Sequence, residues 1–539
     1  MTLRDADVQV NVEIVTRAKG ILPLTGTTAL QPLDTSDSAS RDIRAVGALC
    51  GVNTGTLENC TLTHGKNNAV PAQVLAMLPF DDTASETART PKTNENGTAY
   101  YENEPRGIGG LVGVAIPKNG QTQKISALTV DANVTVAGLL QDKSLKDADE
   151  TLTEQARYAA AASGENSIWR SIGVGGVVGT VDAANLKLEA DPNKNNMTNK
   201  AAVIGSAFTG GVVGNLYNSS SADVPLTGLQ NEGTVSVGAN YLGSAEGENS
   251  RVLGQFFGGI AGYCKNVTLS GSTSATRRDM TETQLKTAVK GGYANDGALT
   301  DDSPLKGDFV GGLVGCNDAT AKITNPSTSL LTVSGEVTGG KAVGGMIGLN
   351  LAPALPAADI KVTEISGTLC VGGVIGANMP VAGTDVMAFT IKETTTSGST
   401  VSTFKTTAKA GRIKANGLAG GIIGYNCLLA SAPNDLTTIL PTVAKDTGLV
   451  TVNKTLARSD NTMTLNGAAN QFNLEVNAYA GGIVGYNDAE TRLTIRNATN
   501  GSDSNAASVG SLKMRGETGI LGSGVSLPGY NDSFNYNDY

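Results

Sequence analysis

A single histidine, His64, stands in 539 residues, and that count removes much of the chemistry a chain of this length could carry. An HExxH zinc peptidase needs two histidines four positions apart, and a Ser-His-Asp triad would have to rest on this one imidazole. His64 follows Thr61-Leu62-Thr63 and reads as a surface turn residue. Carboxylates are the next candidates, because polysaccharide cleavage uses an acid and a base held on facing positions. Here Asp81-Asp82, Asp301-Asp302 and the Asp/Asn-rich stretch 531–539 all fall in loop-like sequence, while the strand-like segments offer Thr, Ser, Val and Asn. The stretch GGYANDGALTDD at 291–302 has oxygen ligands that calcium could use, yet it lacks a repeated GGxGxD nonapeptide, so no cofactor is expected. Six cysteines (50, 60, 264, 316, 370, 427) form no CxxC pair and read as small buried side chains; Cys50 with Cys60 is the one local pair able to bridge.

The balance is acidic, 49 Asp and Glu against 40 Lys and Arg, and no basic stripe for nucleic acid is present. Against that background the adjacent Arg277 and Arg278 stand out, and they are the candidate partner-binding residues. No apolar run reaches the length of a membrane span. The opening MTLRDADVQVNVEIV lacks the basic start and apolar core of a signal peptide, so the chain is expected to be a fragment of a longer protein. LPLTG at 22–26 matches the wording of a sortase sorting signal, but no apolar segment and basic tail follow it.

The elements that would position such residues announce themselves by repetition. The word GGLVG at 109 returns as GGVVG at 175 and 210, GGIAG at 258 and GGLVG at 311. It continues as GGMIG at 344, GGVIG at 372, GGIIG at 420 and GGIVG at 481, with a degenerate Gly47-Ala-Leu-Cys-Gly51 at the start. The shortest intervals, 33 and 28 residues, hold only short Thr/Val/Ile-rich strands, turn residues and the word. No such unit can bury its aliphatics alone, so each must stack on its neighbour. About 30 residues without amphipathic helices suits a coil of strands. The expected fold is all-β, a right-handed parallel β-helix (β-solenoid) with short inserted helices, ten to fourteen coils making a rod of roughly 50–65 Å.

With the first Gly of each word numbered 0, positions +2 and +3 are both aliphatic in the nine full copies, although neighbours on a strand face opposite ways. Either both faces of that sheet are covered, or the chain bends at a glycine and turns both side chains inward. The glycines suit a bend or a close approach of backbones. Position +6 is Asn in six copies, Asn53, Asn317, Asn350, Asn378, Asn426 and Asn487, and stacking would set these amides in a ladder with a structural role.

Gly-Gly-aliphatic-aliphatic-Gly-x-Asn resembles the GLUG motif of large bacterial surface proteins, among them adhesin-like repeat proteins and the non-catalytic N-terminal region of IgA1-specific metallopeptidases. The likeness spans nearly all of 43–487; the copies at 109, 175, 210 and 258 lack the Asn, and GILGSG at 519–524 is degenerate. The resemblance implies an exported protein at the bacterial cell surface.

Residues 1–42 read as an N-terminal cap or the tail of a preceding region, and 43–539 as one repeat domain with insertions near 140–170 and 272–306. The first insertion carries Leu145, Ala148, Leu152, Ala156 and Ala159 at helical spacing. In the second, Thr281 and Gln284 form a capping box and Gly291 can close a helix over 280–291. The interval 420–481 is strand-like and is expected to hide an extra coil without a word. The expected function is a non-enzymatic structural or adhesive segment presenting loops or inserted helices to a protein or glycan on a host or neighbouring cell. The alternatives are a carbohydrate-active β-helix enzyme, or the accessory region of a secreted peptidase whose catalytic domain lies outside this chain.

Overall fold

The computed structural model describes residues 2–10, 12–15, 45–64, 72–80, 92–93, 99–100, 106–117, 122–142, 172–188, 195–205, 208–220, 225–237, 256–270, 288–290, 309–324, 331–355, 358–382, 394–396, 399–401, 404–406, 411–433, 436, 439–444, 449–466, 468–496, 499–500 and 512–514. Among them every regular element is a strand. Two ten-stranded sheets run through all ten words, beside a fourteen-stranded and a seven-stranded sheet, and almost all of the pairing is parallel. Each unit thus lays its strands directly on those of the unit before, an arrangement consistent with a β-solenoid.

The word itself is a bend between two arms. The first arm ends on position 0, as in Phe309–Gly311, the chain bends through +1 and +2, and the second arm starts at +3, as in Val314–Asn317. First arms pair only with first arms in one ten-stranded sheet, and second arms with second arms in the other. This resolves the paired aliphatic columns in favour of the bend. Leu313 at +2 and Val314 at +3 both enter the main core, together with Val310 at −1.

The three glycines of each word answer to three different backbone contacts. A Cβ on Gly311 would lie 2.0 Å from the carbonyl oxygen of Val314 in its own word. On Gly312 it would lie 2.2 Å from the carbonyl oxygen of Gly345 in the next unit, and on Gly315 it would lie 2.5 Å from the amide nitrogen of Phe257 in the preceding one. The same contacts recur at 1.9–2.0 Å for position 0 from Gly109 to Gly481. The arms therefore lie back to back with room for hydrogen only. Where they diverge, positions −2 and +5 fill the gap with a second core containing Phe208, Phe256, Phe309, Tyr263, Leu349 and Tyr425. Phe256 stacks on Phe309 with ring centres 5.3 Å apart and lies tilted against Phe208 at 5.0 Å.

Two expectations change. The arms of Gly420 pair directly with those of Gly481, so no wordless coil separates them; the chain between Cys427 and Asn461 leaves the stack, while Ala468–Asn470 and Asn473–Val476 stay in the fourteen-stranded sheet. Ala288–Lys290, expected as the last turn of a helix over 280–291, is a strand between Val235–Val237 and Leu331–Thr338. Near the N-terminus, Asp7–Val8 pairs in the seven-stranded sheet and Val12–Val15 in the fourteen-stranded one. These strands and Thr2–Arg4 cover the N-terminal edges of those two sheets. The remainder of the 280–291 helix and the one expected at 144–162 lie outside the described residues.

Candidate functional site

The Asn column at +6 is the most regular polar feature. Asn317 Nδ2 donates to Asn350 Oδ1 at 3.0 Å, Asn350 to Asn378 at 2.9 Å, Asn378 to Asn426 at 2.9 Å and Asn426 to Asn487 at 2.8 Å. Asn350 also closes a turn on Ala352, accepting its amide and donating to its carbonyl. An amide suits this place because one side chain must donate in one direction and accept in the other. The Oδ1 of Asn317, at the upper end, has no hydrogen-bond partner; the residue paired above it is Cys264. Asn53 lies apart from the column: its neighbour is Ala115, and its amide closes a turn on Gly55. A second short ladder, Asn199 to Asn231 at 2.8 Å, was not anticipated, and only the two-residue turn it shares with the others could have signalled it.

A buried polar cluster lies against the second core. Between Cys427 and Asn461 the chain forms a strap whose neck is closed by Ala430 donating to Ala457 and Ser459 donating to Leu428. Leu436, Ile439 and Leu440 of the strap are buried in that core. Arg458, 5 % exposed, meets the carboxylate of Asp488, 1 % exposed, at 3.0 Å. The same carboxylate accepts the Tyr425 hydroxyl at 2.8 Å, and the guanidinium donates to the carbonyls of Asn453 and Leu456. Burial opposes the charge on Arg458, but the Asp488 carboxylate holds its pKa above the usual value. Tyr263 repeats the pattern upstream, donating to Asp318 at 2.8 Å; burial first, and the carboxylate second, raise its pKa. Tyr at +5 and Asp at +7 of the following unit thus form one device used twice. It is a clasp, with both partners saturated by protein groups.

All six cysteines are free thiols, Cys50 and Cys60 included. Burial pushes the Cys50 and Cys427 thiols to about 11 and raises Cys264, Cys316 and Cys370 further, which leaves little thiolate at neutral pH. His64 is half-buried and accepts the Ala72 amide on Nδ1 at 2.9 Å. On the outer surface Glu58 bridges Arg4 and Lys124 across three adjacent strands, and Glu364 meets Lys414 at 3.0 Å.

Arg277, Arg278, Asp81, Asp82, Asp301, Asp302 and the stretches 291–302 and 531–539 lie outside the described residues. Among the described residues no three His, Cys, Asp or Glu side chains come together as metal ligands, and no helix is long and apolar enough to cross a membrane. No family model, curated protein or solved structure matches the chain.

Proposed function

We propose that the stack is a right-handed parallel β-helix acting as a non-enzymatic structural and adhesive segment of a bacterial cell-surface or secreted protein. The supporting observation is how the described interior is filled. Aliphatic side chains, backbone-to-backbone glycine contacts and a hydrogen-bonded amide column occupy it, and the amides of that column join neighbouring units. Such an interior serves the rod. A partner would then be met on loops and excursions, where residues are free of the stacking constraint. The resemblance of the words to GLUG repeats adds the expected location, and the longest departures from the repeat add candidate binding segments, with Arg277 and Arg278 in one of them.

Beads coated with the chain should adhere to host epithelial cells or to neighbouring bacterial cells. Removing 272–286, while keeping Ala288–Lys290, should weaken adhesion and leave the melting temperature nearly unchanged; Arg277→Ala with Arg278→Ala should do so more mildly. Equal adhesion by all three proteins would place the site elsewhere. Turnover of a polysaccharide that is lost on substituting a strand residue would overturn the non-enzymatic reading.

A further inference from the structure

The pairing of the stack passes from the Gly420 unit to the Gly481 unit without the strap. The arms of the two units pair directly, and Thr442–Val443 of the strap pairs with its own Val450–Thr451. The strap joins the stack at a narrow neck. There Leu429 bridges Val381 of the stack on one side and Arg458 on the other, beside the Ala430–Ala457 and Ser459–Leu428 bonds.

The flank that receives the strap differs in sequence from the units before it. Position +7 is polar or charged in the units of Gly175, Gly210, Gly258 and Gly311, as Asp182, Tyr217, Lys265 and Asp318. In the next three units it is Leu351, Met379 and Cys427, and in the last it is Asp488. Those three apolar residues are at most 2 % exposed and share one cluster with Leu436, Ile439 and Leu440 of the strap. A stripe of this kind is disfavoured in water, so the stack carries a seat made for the strap. Beside the seat is a latch that is only partly made. Arg458 meets Asp488 of the last unit at 3.0 Å, but its buried Nε has no hydrogen-bond partner, and Glu490 Oε2 stands 4.0 Å from it. An unpaired buried donor lowers what the latch contributes.

We infer that the strap is a lid, hinged at its neck, that opens as one unit while all ten words stay stacked. Opening lifts Leu436, Ile439 and Leu440 off their seat and brings Met379 and Cys427 to water. No backbone bond between arms breaks, so this opening is reached far more often than unfolding of the stack.

Alkylation of Cys427 by iodoacetamide tests this, with Cys264 of the main core as reference, each rate taken relative to that thiol in the urea-unfolded chain. In the full chain Cys427 should react roughly a hundred-fold or more faster than Cys264, and low urea should change its rate little. Arg458→Met should quicken Cys427 by roughly ten-fold or more. Replacing 431–456 by a short Gly/Ser turn should leave Cys264 protected and Cys427 fully reactive. Equal relative rates at the two thiols of the full chain, with the same urea dependence, would overturn the inference, because the strap would then open only as the stack unfolds. A Cys427 rate unmoved by Arg458→Met would overturn it too. So would loss of Cys264 protection in the shortened chain, by making the strap part of what holds the stack.

Discussion

At the scale of the residue, the copies within this chain act as their own mutational record. Positions 0 and +4 are glycine in all ten words, whereas +1 carries Ala48 in the first. The geometry gives the reason. At Gly311 and Gly315 a Cβ would meet three backbone atoms within 2.8 Å, whereas at Gly312 it would meet one backbone carbonyl oxygen, at 2.2 Å, and the Val333 side chain. Gly311→Ala and Gly315→Ala should each cost about 3 kcal/mol or more by forcing the arms apart, and Gly312→Ala less, about 1–3 kcal/mol. Denaturant midpoints of the three variants check the order. Asn350→Asp tests the column differently. A carboxylate there cannot donate to Asn378 and faces the Oδ1 of that residue, so the loss should exceed that of Asn350→Ala at pH 7 and shrink at pH 4, where the acid is protonated. The glycine pattern and the six asparagines were legible in the sequence because each repeats. Tyr425 with Asp488, and Tyr263 with Asp318, were not, since each pair joins residues of different units and occurs only twice.

At the scale of the element, local signals and stacking demand disagree at 280–291. Thr281, Gln284 and Gly291 encode helix ends, yet Ala288–Lys290 fills a strand place between two neighbours of the fourteen-stranded sheet. Pairing on both sides outweighs a propensity difference of a few tenths of a kcal/mol per residue. Excising 274–300 would therefore delete a strand and should destabilise the stack, in contrast to excision of 272–286. The strap was unreadable for a related reason: its strand-like sequence carries no mark saying whether it stacks or folds over. Arg458→Met should destabilise by about 3–5 kcal/mol, because Asp488 stays buried without its countercharge. Adding Asp488→Asn should recover part of that loss. Additive losses in this cycle would show that the two side chains do not act as a pair.

At the scale of the whole molecule, burial of thiols and phenols predicts how stability responds to alkali. The folded chain holds Cys50 and Cys427 at about 11, against 9.0 for an ordinary thiol, with the other buried thiols and Tyr263 and Tyr425 also raised. Below pH 9 folded and unfolded chains alike keep these protons, so nothing is lost. Above it the unfolded chain releases protons that the folded one retains, and stability should fall as pH climbs from 9 through 11. A denaturant midpoint flat across that window would show the thiols to be less enclosed than described. The ten stacked words also fix a length. Ten strands leave nine spacings of ~4.8 Å, about 43 Å between the first and last arms, which is the lower end of the ten to fourteen coils expected. The most direct test is a dipolar distance between spin labels on non-natural residues replacing Val52 and Tyr479, exposed at opposite ends of the stack. Direct stacking of all ten units predicts one narrow distribution near about 45 Å. A distance below about 30 Å, or a broad distribution, would contradict the stack.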